Sequence, residues 1–227
     1  MPSPVVISSA FDGGNIQVIN ASDPLAIQLA IAPDNASDFF QWFYFRLEGE
    51  VGQRCQLQIT NAGQAAYTEG WQHYRVCTSW NKTDWFRTDC HYADGVLSFE
   101  IELQCPSVYF AYFMPYSHER HLALLGSVQM DDRVQLTTLG QTLDGHSMHR
   151  LVISDSDNPS YKVWITARQH PGETMAEWFI EGLLDALLDR DNPRARQLLQ
   201  HTAFYICLLY TSPSPRDQRG SRMPSSA

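Results

Sequence analysis

His170 and Glu173 stand three residues apart within KVWITARQHPGETMAEWFIEGLLDALL, residues 162–188. A neutral imidazole and a carboxylate are both good zinc ligands, and a catalytic zinc takes three protein ligands plus an open position for water. An H-x-x-E pair supplies two of the three. Such pairs also arise by chance, and the plain structural reading is a polar loop histidine followed by a glutamate in a first helical turn, where negative charge is favoured. Two further pairs have H-x-x-H spacing, His118 with His121 and His146 with His149. For the first, no third ligand is obvious nearby. The first reads as surface or hydrogen-bonded histidines and the second as hairpin residues.

The setting separates His170 and Glu173 from the other pairs. Residues 162–168 are β-rich and alternate, with Val163, Ile165 and Ala167 on one face and Trp164 and Thr166 on the other, which reads as a strand entering a core. From Thr174 the period changes to that of a helix, through Met175, Trp178, Phe179, Leu183, Leu184, Leu187 and Leu188. The loop Gln169-His170-Pro171-Gly172-Glu173 lies between them, at the carboxyl end of a strand, where open α/β sheets gather ligands. Pro171 and Gly172 restrict the shapes this turn can take.

ARQHPGETMAEW resembles the zinc loop of the carboxypeptidase A-like metallocarboxypeptidases, in particular the cytosolic carboxypeptidase branch. The segments SDFFQWFYFRL (residues 37–47) and AYFMPYSHERH (residues 111–121) resemble the small β-rich domain that precedes the catalytic domain in that branch. The resemblance covers nearly everything from about Phe11 to Ile206. It implies that His170 and Glu173 are metal ligands for Zn2+, and that the substrate is a peptide or protein C-terminus, with glutamate a familiar residue released in that branch. The metal would polarise the scissile carbonyl and activate its bound water. The family's third zinc ligand, its general-base glutamate and its carboxylate-binding arginine have no matching positions in this chain. Gly172 stands where pancreatic-type enzymes carry an arginine. Two rival expectations are a deacylase or amidohydrolase built on the same loop, and a non-catalytic β-rich interaction module with a vestigial zinc loop.

The elements before the loop read as strands. VVISSAF, NIQVIN and AIQLAI are short apolar runs punctuated by Gly13-Gly14, Asp23-Pro24 and Pro33-Asp34, a spacing that suggests a sandwich or small barrel. FFQWFYFRL is apolar on both faces and predicts a central strand; a carbohydrate-binding aromatic platform is the functional alternative. CQLQITNAG, YRVCTSW, WFRTDCHY, GVLSFEIEL and VYFAYFMPY continue the β pattern, with Asn81-Lys82-Thr83-Asp84 joining a hairpin. HERHLALLGSVQM predicts a short helix leading out of the first domain, and Asp131-Asp132 a polar break and candidate linker. VQLTTLG and MHRLVIS flank Leu143-Asp144-Gly145, a hairpin signal. ARQLLQ predicts a short second helix. TAFYI predicts a strand that completes a βαβ-like unit and forms the open edge of its sheet. The expected fold is an N-terminal all-β sandwich domain over residues 1–125, followed by the first part of an α/β, mixed-sheet metallocarboxypeptidase domain over residues 126–206.

Composition narrows the functional classes. Hydrophobic residues make up 44% of the chain and aromatics 12%, which suits a packed globule rather than disorder. A formal net charge of −9 argues against a nucleic-acid-binding surface. No apolar run approaches spanning length, and the N-terminus lacks the basic and apolar regions of a signal peptide, so the expected location is cytoplasmic, with no membrane partner. Cys55, Cys77, Cys90 and Cys105 lack C-x-x-C spacing and read as buried free thiols, with disulfides the alternative. From Cys207 periodicity stops. CLLYTSPSPRDQRGSRMPSSA, residues 207–227, resembles the in-frame translation of a sequencing-library adapter and is expected to be a disordered tail, with the natural frame interrupted near Ile206.

Overall fold

The structure, a computed structural model, describes residues 3–33, 38–142, 145–170 and 172–208. They fall into two compact units, divided between Pro115 and Tyr116.

The first unit is built from β1 (Val6–Ser8), β2 (Gln17–Asn20), β3 (Ile27–Ala30), β4 (Tyr44–Glu48), β5 (Arg54–Ile59), β6 (Arg75–Ser79), β7 (Trp85–Ala93), β8 (Val96–Glu102) and β9 (Ser107–Ala111). They hydrogen-bond in the order β1-β4-β9-β6-β7-β8-β5-β3-β2. Every pairing is antiparallel except β3 with β5. The ribbon folds on itself at β7. Residues Trp85–Asp89 pair with β6, while Cys90–Ala93 pair with β8. A strand that changes sheet partway makes the corner of a sandwich. The two layers share one core: Phe45 and Phe110 from the β4/β9 side join Leu57, Ile59, Leu97 and Phe99 from the β5/β8 side. The rings of Phe99 and Phe110 are 5.1 Å apart.

The aromatic run behaves as its pattern predicts, over a shorter span. The strand begins at Tyr44, and Phe39 is exposed. Phe45 and Leu47 enter the core, while Tyr44 packs on the opposite face with Cys77 and Ala111. The β6–β7 loop is fixed by Asn81, whose Oδ1 accepts from the backbone N–H groups of Thr83 (2.9 Å) and Asp84 (2.8 Å). Lys82 takes the left-handed φ of 66° that this turn requires. Cys55 and Cys77 are buried free thiols, whereas Cys90 is half-buried and Cys105 is exposed. Burial pushes the Cys55 thiol up to about 11.

The second unit runs α1 (His118–Val128), β10 (Val134–Gln141), β11 (Ser147–Ile153), β12 (Tyr161–Ala167), α2 (Met175–Leu188), α3 (Pro193–His201) and β13 (Thr202–Leu208). Its sheet order is β10-β11-β13-β12. β10 and β11 form the expected antiparallel hairpin; Leu143 and Asp144 of its turn lie outside the described residues. β12 and β13 are parallel, so β12-α2-α3-β13 is a βαβ crossover. Contrary to expectation, β13 is not the open edge. It lies between β11 and β12, and includes Cys207 and Leu208, which pair with both neighbours. The apolar run Ile206-Cys207-Leu208 continues the strand past the point where composition changes. Residues 209–227, where the expected tail falls, lie outside the described residues. β12 is the edge on that side, opposite β10, with Tyr161, Val163 and Trp164 exposed and Trp164 stacked on Tyr205 at 4.6 Å.

No helix of the described residues is long and apolar enough to cross a membrane. Asp131 lies inside the second unit and does more than break a pattern. Its carboxylate accepts from Arg133 Nε at 2.9 Å and Nη2 at 2.8 Å, and the same Nη2 donates to the carbonyl of Leu188 at the end of α2 at 2.7 Å. These bonds hold the Asp131 carboxyl well below the usual carboxylate range. A depressed folded-state pKa contributes stability above the unfolded value of about 4 that is lost as pH falls through the folded value. Asp131→Asn should therefore cost about 1–3 kcal/mol near neutral pH. In urea unfolding, the gap between the two proteins should narrow steadily below about pH 4.

Candidate metal centre

The loop begins where β12 ends. Ala167 is the last paired residue of β12, aligned with Leu208. Arg168 follows in the left-handed region, φ 55°, an uncommon conformation for a residue with a Cβ that persists only where the surroundings enforce it. Here they do: the Arg168 side chain is 8% exposed, and its Nη1 donates to Glu177 Oε2 at 2.6 Å and to the Tyr116 carbonyl at 3.0 Å. The other oxygen of Glu177 faces His121 Nδ1 at 3.1 Å. His121 and Glu177 side chains are each 1% exposed. A buried carboxylate between a guanidinium and an imidazole thus pins the strand end to α1 and α2.

Beyond Arg168 the chain turns back. The Glu173 N–H donates to the His170 carbonyl at 3.0 Å, and Ala176 N–H to the Glu173 carbonyl at 3.1 Å, leading into α2. The His170 and Glu173 side chains meet, Nδ1 to Oε1 3.2 Å, with exposures of 43% and 52%. Two atoms bound to one tetrahedral zinc at 2.0–2.2 Å stand about 3.3–3.6 Å apart. The observed separation is just short of that range, both groups are open to solvent, and one imidazole with one carboxylate is a donor set zinc accepts. The residues fit the ion. Glu173 also stands just before the first turn of α2, where negative charge is favoured. Among the described residues, no group of three or more His, Cys, Asp or Glu side chains is already assembled to hold a metal.

The helix that follows Glu173 presents a different face from the one its apolar spacing suggests. Its buried residues are Glu177, Ile180, Leu184 and Leu187, while Met175 and Phe179 are exposed. The pattern was hard to read because a charged residue occupies the first core position. Further along, Arg120 donates to Glu181 Oε2 at 2.9 Å, Tyr116 hydroxyl donates to the same oxygen at 2.7 Å, and the Arg120 guanidinium lies 4.1 Å from the Trp178 ring centre. Those donors lower the Glu181 carboxyl. Sequence reasoning missed Arg168, Glu177 and the partners of His121, since nothing local signals a triad assembled from three elements.

The chain thus carries a β-sandwich followed in sequence by an α/β unit with a His-Glu loop at a strand end. Residues 7–113 match the family described as the cytosolic carboxypeptidase N-terminal domain, and residues 122–210 match the zinc carboxypeptidase family. The chain belongs to the metallocarboxypeptidases. It is 44% identical over 200 residues to an uncharacterized protein of Zymomonas mobilis, covering 88% of this chain and 52% of that one. Mouse cytosolic carboxypeptidase 6 is 27% identical over 223 residues, covering 89% and 41%. The crystal structure of a metallo-carboxypeptidase from Burkholderia cenocepacia superposes with a TM-score of 0.88 at 40% identity, covering 90% and 56%. The chain spans about half the length of the relatives it matches.

Proposed function

We propose that the whole protein is a zinc-dependent carboxypeptidase that hydrolyses C-terminal residues from peptides, with His170 and Glu173 as two of its metal ligands. The observation that carries this reading is the 3.2 Å approach of two solvent-open ligand atoms at the carboxyl end of a parallel strand. When bound, zinc supplies Lewis-acid polarisation of a carbonyl and a nucleophile at neutral pH. The chain's own residues supply position. Arg168 and Glu177 lock the strand end, the His170–Glu173 turn brings the two side chains together, and the exposure of both leaves room for a peptide terminus.

Glutamate is the side chain we put forward for release, on the resemblance to the cytosolic branch, and the name of the mouse relative supports a cytoplasmic location. The 227-residue chain by itself is proposed to be inactive, because two ligands are one short of a catalytic zinc site. The experiment is to read the source DNA past Leu208 and express the longer frame beside this chain. Zinc content and release of C-terminal residues are then measured on peptides ending in glutamate or in other residues, and on acylated amino acids. Zinc-dependent release from peptides by the longer protein alone is the expected result. Equal release by both chains, or turnover of acylated amino acids alone, would overturn the reading.

A further inference from the structure

The two H-x-x-H pairs, 28 residues apart from first histidine to first histidine in the sequence, come together in space. His118 and His121 lie in the first turn of α1, and His146 and His149 lie just before and within β11. Ring centres are 4.6 Å apart for His118 and His146, 5.9 Å for His118 and His121, and 5.8 Å for His121 and His149. Each pair supplies what the other lacked in sequence, a second set of imidazoles close at hand.

Three features make this more than a polar surface patch. Imidazoles sharing one tetrahedral ion have ring centres about 5 Å apart, given metal–nitrogen distances near 2.0–2.1 Å, and the observed separations bracket that value. His121 is 1% exposed, and its Nδ1 faces a Glu177 carboxylate that Arg168 holds in place. A carboxylate on one ring nitrogen selects the tautomer whose lone pair is on the other, which is the outer support of a metal-bound histidine. His149 has a buried Nδ1 with no hydrogen-bond partner among the described residues, and a buried unsatisfied nitrogen calls for a ligand. Burial and the neighbouring His121 and His118 push the His149 imidazole down, favouring the neutral form that ligates.

We propose that His118, His121, His146 and His149 form a second metal site, separate in its residues from the His170–Glu173 loop and specific for a divalent transition ion that prefers imidazole. The donor atoms are not yet gathered, so binding turns the rings. The torsion that turns an imidazole is broad and soft, and His146 is exposed. A bound ion would tie the first turn of α1 to β11.

The test uses the purified 227-residue chain, stripped of metal and titrated with Co2+, followed by its visible spectrum and by calorimetry. His170→Ala/Glu173→Ala removes the loop site. That variant should still bind one Co2+ per chain, with the spectrum of a nitrogen-ligated ion. Adding His146→Asn and His149→Gln should weaken this binding at least tenfold while the circular dichroism stays unchanged. Zinc added to the loop variant should also shift the ring resonances of all four histidines in a 15N NMR spectrum, a measurement that needs no substitution in the cluster. A loop variant that binds no ion, an affinity unmoved by the His146 and His149 changes, or ring resonances that stay put would each overturn the proposal. Failure of the carboxypeptidase reading would leave these results as they are, since none depends on turnover.

Discussion

Glu177→Leu should cost the second unit about 3–5 kcal/mol, because it leaves the buried Arg168 guanidinium without its counter-charge. The carboxylate it removes receives Arg168 at 2.6 Å and faces His121 at 3.1 Å, with all three side chains no more than 8% exposed. The cost falls on the groups left behind more than on the interaction itself. Replacing the partners as well, with Arg168→Met and His121→Leu, should recover much of the loss, as it does when buried ion pairs are exchanged for apolar side chains. Urea unfolding of the single and triple variants measures both. A loss under about 1 kcal/mol for Glu177→Leu would mean that water reaches the triad and screens it.

His170→Ala or Glu173→Ala in the longer protein should lower zinc-dependent release of C-terminal residues by about a thousandfold or more. That corresponds to the several kcal/mol that a metal contributes to stabilising charge in the transition state. Metal content should fall in parallel, since each substitution deletes a ligand. Folding stability should hardly change, because both side chains are about half exposed and their mutual contact is an ordinary surface pair. Steady-state kinetics with metal analysis on the same preparations decides. Full metal occupancy with activity intact would remove these residues from the site.

The loop was legible because its signals are local. An alternating run, a Pro-Gly turn and a helical period fall in unbroken succession between Lys162 and Leu188, and the hydrogen bonds that close the turn link residues three apart. The sandwich was legible too, since period-two apolar runs and turn residues repeat along the first half. What the sequence hid is contact between distant segments. Glu177 looks like a surface residue of a helix until Arg168 and His121 arrive from other elements. The two histidine pairs look like unrelated coincidences until α1 meets β11. The edge of the second sheet was misplaced for the same reason: the period shows that β13 is a strand, but only the crossover through α2 and α3 decides that it inserts beside β11 and leaves β12 outside.

The strand that serves both layers of the sandwich also governs how that unit comes apart. Asp89 hydrogen-bonds within one layer and Cys90 within the other, so neither layer can be peeled away without unzipping β7 from its remaining neighbour. The unit should melt in one step rather than shed a sheet. Its closing contacts are remote in sequence, as Tyr44 pairs with Ala111 across most of the unit. Ring closure over such distances must precede any reward from the ladder, so refolding belongs in the millisecond-to-second range of all-β sandwiches.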